Sequence, residues 1–178
     1  MSLTAAVAAA VGALASNPVL TASSNGTFLE LTAIVTRNNI SALECWRLTD
    51  PFVTSADAGT AGASTMDIND LANATYTVLP PRFEGGVHNS PHPQLVIFLS
   101  GVAHVTLPFG TDDALVLGGG SGMIIAADTT GSGHNTSYPS NQQTRALQIP
   151  FTDGVIPPHV VVNEGACTGD QIVTTTTD

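Results

Sequence analysis

Lysine is absent from the sequence, and its only basic side chains are four arginines, Arg37, Arg47, Arg82 and Arg145, against 14 acidic residues. The resulting net charge of -10 argues against a nucleic-acid partner, which is held by clustered Lys and Arg that neutralise phosphates. Without lysine there is neither a P-loop nor a Schiff-base nucleophile. Aromatic residues make up only 5% of the chain and Trp46 is the sole tryptophan, so there is no stripe of rings on which sugars would stack. Long apolar runs are missing too. The most apolar stretch, "MSLTAAVAAAVGALAS" at residues 1–16, falls short of the roughly 20 residues that a membrane-spanning helix needs, so no membrane partner is expected.

Helix-forming periodicity is equally scarce. Glycine, proline, threonine and β-branched residues dominate, and apolar residues either alternate or run unbroken for a few positions, which marks strands rather than helices. The pattern predicts nine strands, at 27–36, 42–49, 74–80, 94–101, 103–109, 122–128, 134–139, 144–150 and 159–165. Turn clusters such as "FGTDD", "GGGSG" and "TTGSG" separate them. Nine short strands at this spacing suit an all-β sandwich or jelly-roll barrel. The stretch 51–71 has no strand pattern, although "MDINDLAN" is compatible with one helical turn, and "TTTTD" reads as a frayed strand or tail.

At 178 residues the chain is long enough to bury a core of its own, and it shows no internal repeat. It reads as a single domain over 16–178. Residues 1–15 end in Ala13-Leu14-Ala15, the small-residue pattern that signal peptidase favours, but no positive segment precedes them. They are either a signal remnant or an Ala-rich arm. Four Asn-x-Ser/Thr sequons, at Asn25, Asn39, Asn73 and Asn135, point to a glycosylated surface. Cys45 and Cys167 are the only cysteines. In an oxidising compartment they would close one long loop, which stabilises by restricting the unfolded chain; otherwise they are two buried thiols. Together these features describe a secreted, extracellular chain.

The chemistry-bearing residues gather in the middle. His88-Asn-Ser90-Pro-His92-Pro-Gln94 is followed by six residues and then Gly101, while Gly122 leads through "MIIAADTTGSG" to His134, with Gly131 three residues before it and Tyr138 four after. These two stretches, about 82–101 and 122–138, resemble the two motifs of the cupin superfamily, Gly-x5-His-x-His-x3,4-Glu-x6-Gly and Gly-x5-Pro-x-Gly-x2-His-x3-Asn. The 20 residues between Gly101 and Gly122 match a short inter-motif hairpin. The flanking "ECWRLTDPF" and "YPSNQQTRALQIP" are similar to small secreted cupins of fungi. The resemblance implies a double-stranded β-helix, or jelly-roll barrel, with a site in its mouth.

Carried over position by position, the family's first metal histidine falls on His88 and its last on His134. Its second histidine falls on Ser90 and its glutamate on Gln94. Two imidazoles therefore remain, and serine and a neutral amide are poorer ligands than the residues they stand for. Side chains at 88, 90, 92 and 94 share strand parity if the segment stays extended, so His92 either completes the ligand set or, because Pro91 and Pro93 mark a turn, sits at the rim.

Gln94 offers a carbonyl to a metal, an amide to a ligand, or neither. Glu84 is the nearest carboxylate in sequence and is either a general base or a solvated loop charge. Asp128 suits fixing the turn before His134, and Ser90 and Tyr138 suit lining the pocket. His104 reads as a surface residue and His159 as structural.

Two functions follow from different premises. The first is a cupin that binds one divalent transition metal (Mn, Fe, Ni, Cu or Zn) through His88, Gln94 and His134. It would act on a small organic molecule as an oxidoreductase, dioxygenase or isomerase, because two imidazoles leave open positions. The second is a metal-free ligand-binding or extracellular structural glycoprotein on the same scaffold. The resemblance also raises a homodimer formed through an edge strand.

Overall fold

Fourteen strands form where β-branched and aromatic residues concentrate, and the computed structural model describes residues 25–68 and 70–176. In chain order they are β1 (Gly26–Arg37), β2 (Ile40–Leu48), β3 (Val53–Thr54), β4 (Ser64–Thr65), β5 (Thr75–Leu79), β6 (Glu84–His88) and β7 (Gln94–Ser100). There follow β8 (Val102–Thr106), β9 (Asp113–Leu117), β10 (Met123–Ala126), β11 (His134–Ser137), β12 (Thr144–Pro150), β13 (His159–Glu164) and β14 (Ile172–Thr175). The one helical element among the described residues is a 3-10 turn at Thr152–Gly154.

The strands build an eight-stranded sheet, ordered β13-β2-β1-β10-β7-β12-β5 with β14 also on β1, and a four-stranded sheet ordered β6-β11-β8-β9. The two pack face to face as a β-sandwich, the arrangement of a jelly-roll barrel. Between them lie Ile34, Leu43, Val96, Phe98, Ile124 and Ala126 from the large sheet and Ala103, Val105, Ala114 and Val116 from the small one. On β8 and β9 burial alternates strictly, as expected for strands with one face on the core and one in water.

The central strands of the large sheet are buried on both faces. Its outer side carries Leu31, Ala33, Val35, Trp46, Leu95 and Ile125, covered by Phe52, Met66, Ile68 and Ile156 from the connecting segments. The long stretch at 51–71 is therefore a cover: it holds the short β3–β4 hairpin and places apolar side chains over the sheet. No helix forms at 66–68 or 70–73, because the apolar residues there pack outward onto a flat surface rather than along a helical stripe.

Five strands escape the sequence pattern: β3, β4, β6, β9 and β14. The "TTTT" segment is partly a strand, since β14 pairs with Gly26–Leu29 of β1. Cys45 on β2 is disulfide-bonded to Cys167, 122 residues away, and the Cys167 amide donates to Thr32 Oγ1 at 3.0 Å. The bond staples the C-terminal segment to the large sheet. Residues 1–15, read as a signal remnant or arm, lie outside the described residues. No helix among the described residues is long and apolar enough to cross a membrane.

Candidate functional site in the barrel mouth

Antiparallel pairing of β6 with β11 sets His88 directly opposite His134. Their ring centroids are 4.6 Å apart at an interplanar angle of 53°. The approach depends on glycine: Gly133 has φ +72, and a Cβ there would lie 2.7 Å from the His88 carbonyl oxygen. Any other residue would push the two strands, and hence the two imidazoles, apart.

Each ring is held by its Nδ1. His134 Nδ1 donates to Asp128 Oδ2 at 2.9 Å, and His88 Nδ1 donates to the Gly86 carbonyl at 2.8 Å. A carbonyl can only accept, so His88 carries its proton on Nδ1, and the carboxylate imposes the same tautomer on His134. In both residues the lone pair is left on Nε2.

Asp128 itself is wholly buried. Ser41 Oγ donates to its Oδ2 at 2.9 Å and Ser90 Oγ to its Oδ1 at 3.2 Å. Ser90 therefore serves the carboxylate behind His134 and does not present itself as a ligand.

His88, Ser90 and His134 line a cavity of about 150 Å³ together with Gln94, Thr136, Tyr138 and Gln148, over a floor of Ile34, Val96, Phe98, Ile124 and Ala126. Gln94 is buried, and among the described residues its amide has no hydrogen-bond partner, nor has His134 Nε2. Among the described residues no fully enclosed side-chain nitrogen or oxygen lacks one, so both groups open onto the cavity. Burial pushes the Tyr138 phenol up to about 12, which keeps it neutral, and its ring packs against Phe98 and Phe83. Gln148 Oε1 accepts from Thr77 Oγ1 at 2.9 Å.

The other predicted site residues lie elsewhere. His92 is exposed and lines a separate groove with Asn73, Pro93, Phe151 and Asp153. The chain between β6 and β7 is irregular, because Pro91 and Pro93 interrupt it, and the shared parity is lost. Glu84 is exposed at the far end of β6, opposite Ser137. His104 donates to Asp113 at 2.6 Å on the outer face of the small sheet, and His159 stacks on Trp46 with centroids 3.5 Å apart. Of the four sequon asparagines, Asn25, Asn39 and Asn73 are exposed. Asn135 is half-buried on β11, where alternation with His134 and Thr136 turns it outward.

Sequence reasoning missed Asp128 as the partner of His134, and it missed Gln148. The signal for Gln148 was available, since it shares parity on β12 with the buried Ala146. Asp128 lies only six residues before His134, so that pairing was within reach of the sequence, whereas its contacts to Ser41 and Ser90, which span 87 and 38 residues and hold the carboxylate in place, were not.

The arrangement can accept two hydrogen bonds at imidazole Nε2 or donate both lone pairs to a cation. Asp128 supports either use by orienting His134. The class thus defined is an all-β barrel with a histidine pair and an uncommitted glutamine in its mouth. No protein-family model, curated protein or solved structure matches the chain.

Proposed function

We propose that this chain is a secreted, glycosylated cupin-type barrel that binds a small organic molecule in the cavity between His88, Gln94 and His134. One observation carries the reading: an apolar floor faces three uncommitted polar groups, the two Nε2 atoms and the Gln94 amide, in a space the size of a small molecule. Ligand sites have this make-up, with apolar walls giving affinity and a few fixed polar atoms giving orientation.

A second reading, a divalent transition metal held by His88 Nε2, His134 Nε2 and Gln94 Oε1, is favoured by the anchoring of both Nδ1 atoms. Metal-ligating histidines characteristically bind a carboxylate or carbonyl through their other nitrogen. Rings 4.6 Å apart are near enough for one ion to reach both. The donor set is neutral and incomplete, since Asp128 is turned to Nδ1, and among the described residues no three His, Cys, Asp or Glu side chains group around an ion. When bound, such an ion would act as a Lewis acid towards a ligand oxygen.

The test uses protein secreted from a eukaryotic host without metal-affinity purification, beside a His134→Ala variant. Fragment screening by NMR is expected to move signals of His88, Gln94 and His134 in the wild type. Fragments that perturb only other surfaces would overturn the ligand reading. Elemental mass spectrometry on the same samples decides the second reading. About one equivalent of metal, lost in the variant, establishes it; equal content in both proteins after soaking in Mn, Fe, Ni, Cu and Zn removes it.

A further inference from the structure

We infer that the ligand of the His88–His134 cavity is an uncharged molecule of about one ring, bearing N–H or O–H donors. The inference rests on the ligand reading above and adds its chemical class.

Charge comes first. Among the described residues no Arg, Asp or Glu lines the cavity. The one carboxylate beneath it, Asp128, already accepts from Ser41, Ser90 and His134. The arginines are committed or distant: Arg37 pairs with Glu44 and Arg47 with Glu30, Arg82 bonds Asn141, and Arg145 lines another groove with Asn141 and Gln142. An anion entering the cavity would lose its hydration and find only the two imidazoles, neither of them a fixed cation, and a cation would find no free carboxylate. Either transfer is costly. The net charge of -10 opposes anions further.

Size and polarity narrow the class. Water-excluded apolar cavities near 150 Å³ hold benzene-sized molecules, and this cavity measures about 150 Å³. Its floor of Ile34, Val96, Phe98, Ile124 and Ala126 suits the face of a planar ring. The polar side mixes acceptors and donors: both imidazole Nε2 atoms and the Gln94 carbonyl accept, the Gln94 and Gln148 amide groups donate, and the neutral Tyr138 hydroxyl supplies either. A complementary ligand must therefore bring an N–H or O–H group for the imidazoles together with an acceptor for the amides.

Benzamide, benzoate and benzamidinium share a ring and a planar three-atom head group while differing in charge, and they form the test. Each is titrated by NMR into EDTA-treated wild type, Gln94→Leu and Tyr138→Phe, with thermal melts to show that the variants fold. Benzamide is expected to bind at least about tenfold more tightly than either ion, with shift changes at His88 and His134. Its advantage is expected to shrink roughly fivefold in Gln94→Leu, while Tyr138→Phe, which loses only a hydroxyl, remains folded and binds more weakly. Benzoate or benzamidinium binding as tightly as benzamide would overturn the selectivity and leave the ligand reading standing. If no compound of any charge perturbs His88 or His134, the ligand reading fails and this inference fails with it.

Discussion

Asp128 accepts hydrogen bonds from Ser41, Ser90 and His134 while fully buried, so removing its carboxylate leaves three donors facing nothing. Asp128→Ala is expected to lower unfolding free energy by about 3 kcal/mol, because each stranded buried donor carries a desolvation penalty of about 1–3 kcal/mol and such losses are not additive. Urea denaturation measures this. Glu84→Ala, on the exposed end of β6, is expected to stay within about 0.5 kcal/mol of wild type. Similar losses in the two variants would show that the network around Asp128 contributes nothing. The contrast also shows what proximity in sequence hides. Glu84 is the carboxylate nearest to His88 along the chain and has no contact with the site, whereas Asp128 is 40 residues from His88 and orients the opposite ring.

The site exists because two strands meet in one register. β6 reads "EGGVH", with two glycines and no alternation, and nothing in it marks a strand; pairing with β11 makes it one. Likewise β9 hides in the long connection after β8, and β14 in a run of threonines, until neighbours supply their hydrogen bonds. The predicted core strands fared better. All nine are present, with ends shifted by up to a few residues, since their apolar patterns match the faces they bury.

Register can be probed with two glycines of similar backbone conformation. Gly133 has φ +72 and no room for a Cβ, whereas Gly86 has φ +70 and open space. Gly86→Ala should lose about 1 kcal/mol, the penalty of a left-handed alanine. Gly133→Ala should lose at least about 2–3 kcal/mol and weaken the NOE between the His88 and His134 rings. Equal losses would mean that the close approach to the His88 carbonyl does not govern the strand spacing.

At the scale of the whole molecule, the Cys45–Cys167 bond closes a loop of 122 residues that includes both motifs. In the chain-entropy model a loop of this length stabilises by about 5 kcal/mol. A Cys45→Ala/Cys167→Ala variant is expected to lose about that much in urea denaturation, and reduced wild type should match it. A loss under about 1 kcal/mol would place the constraint elsewhere, in the β1–β14 pairing or in the packing over Trp46.

Local chemistry by itself determined that this chain is all-β, where its core strands run, that its only two cysteines are available to one another and that its chemistry-bearing residues gather in two stretches around His88 and His134. These features are written in side-chain alternation, glycine placement and residue spacing, all of which act within a few positions. Only the tertiary structure decided that the centre of the large sheet is buried on both faces, that Ser90 and Ser41 turn to Asp128, that His92 leaves the site and that Gln148 enters it. Each of those outcomes depends on which strands become neighbours across tens of residues. Strand pairing satisfies backbone groups that are alike in every residue, so the one-dimensional pattern carries little record of it.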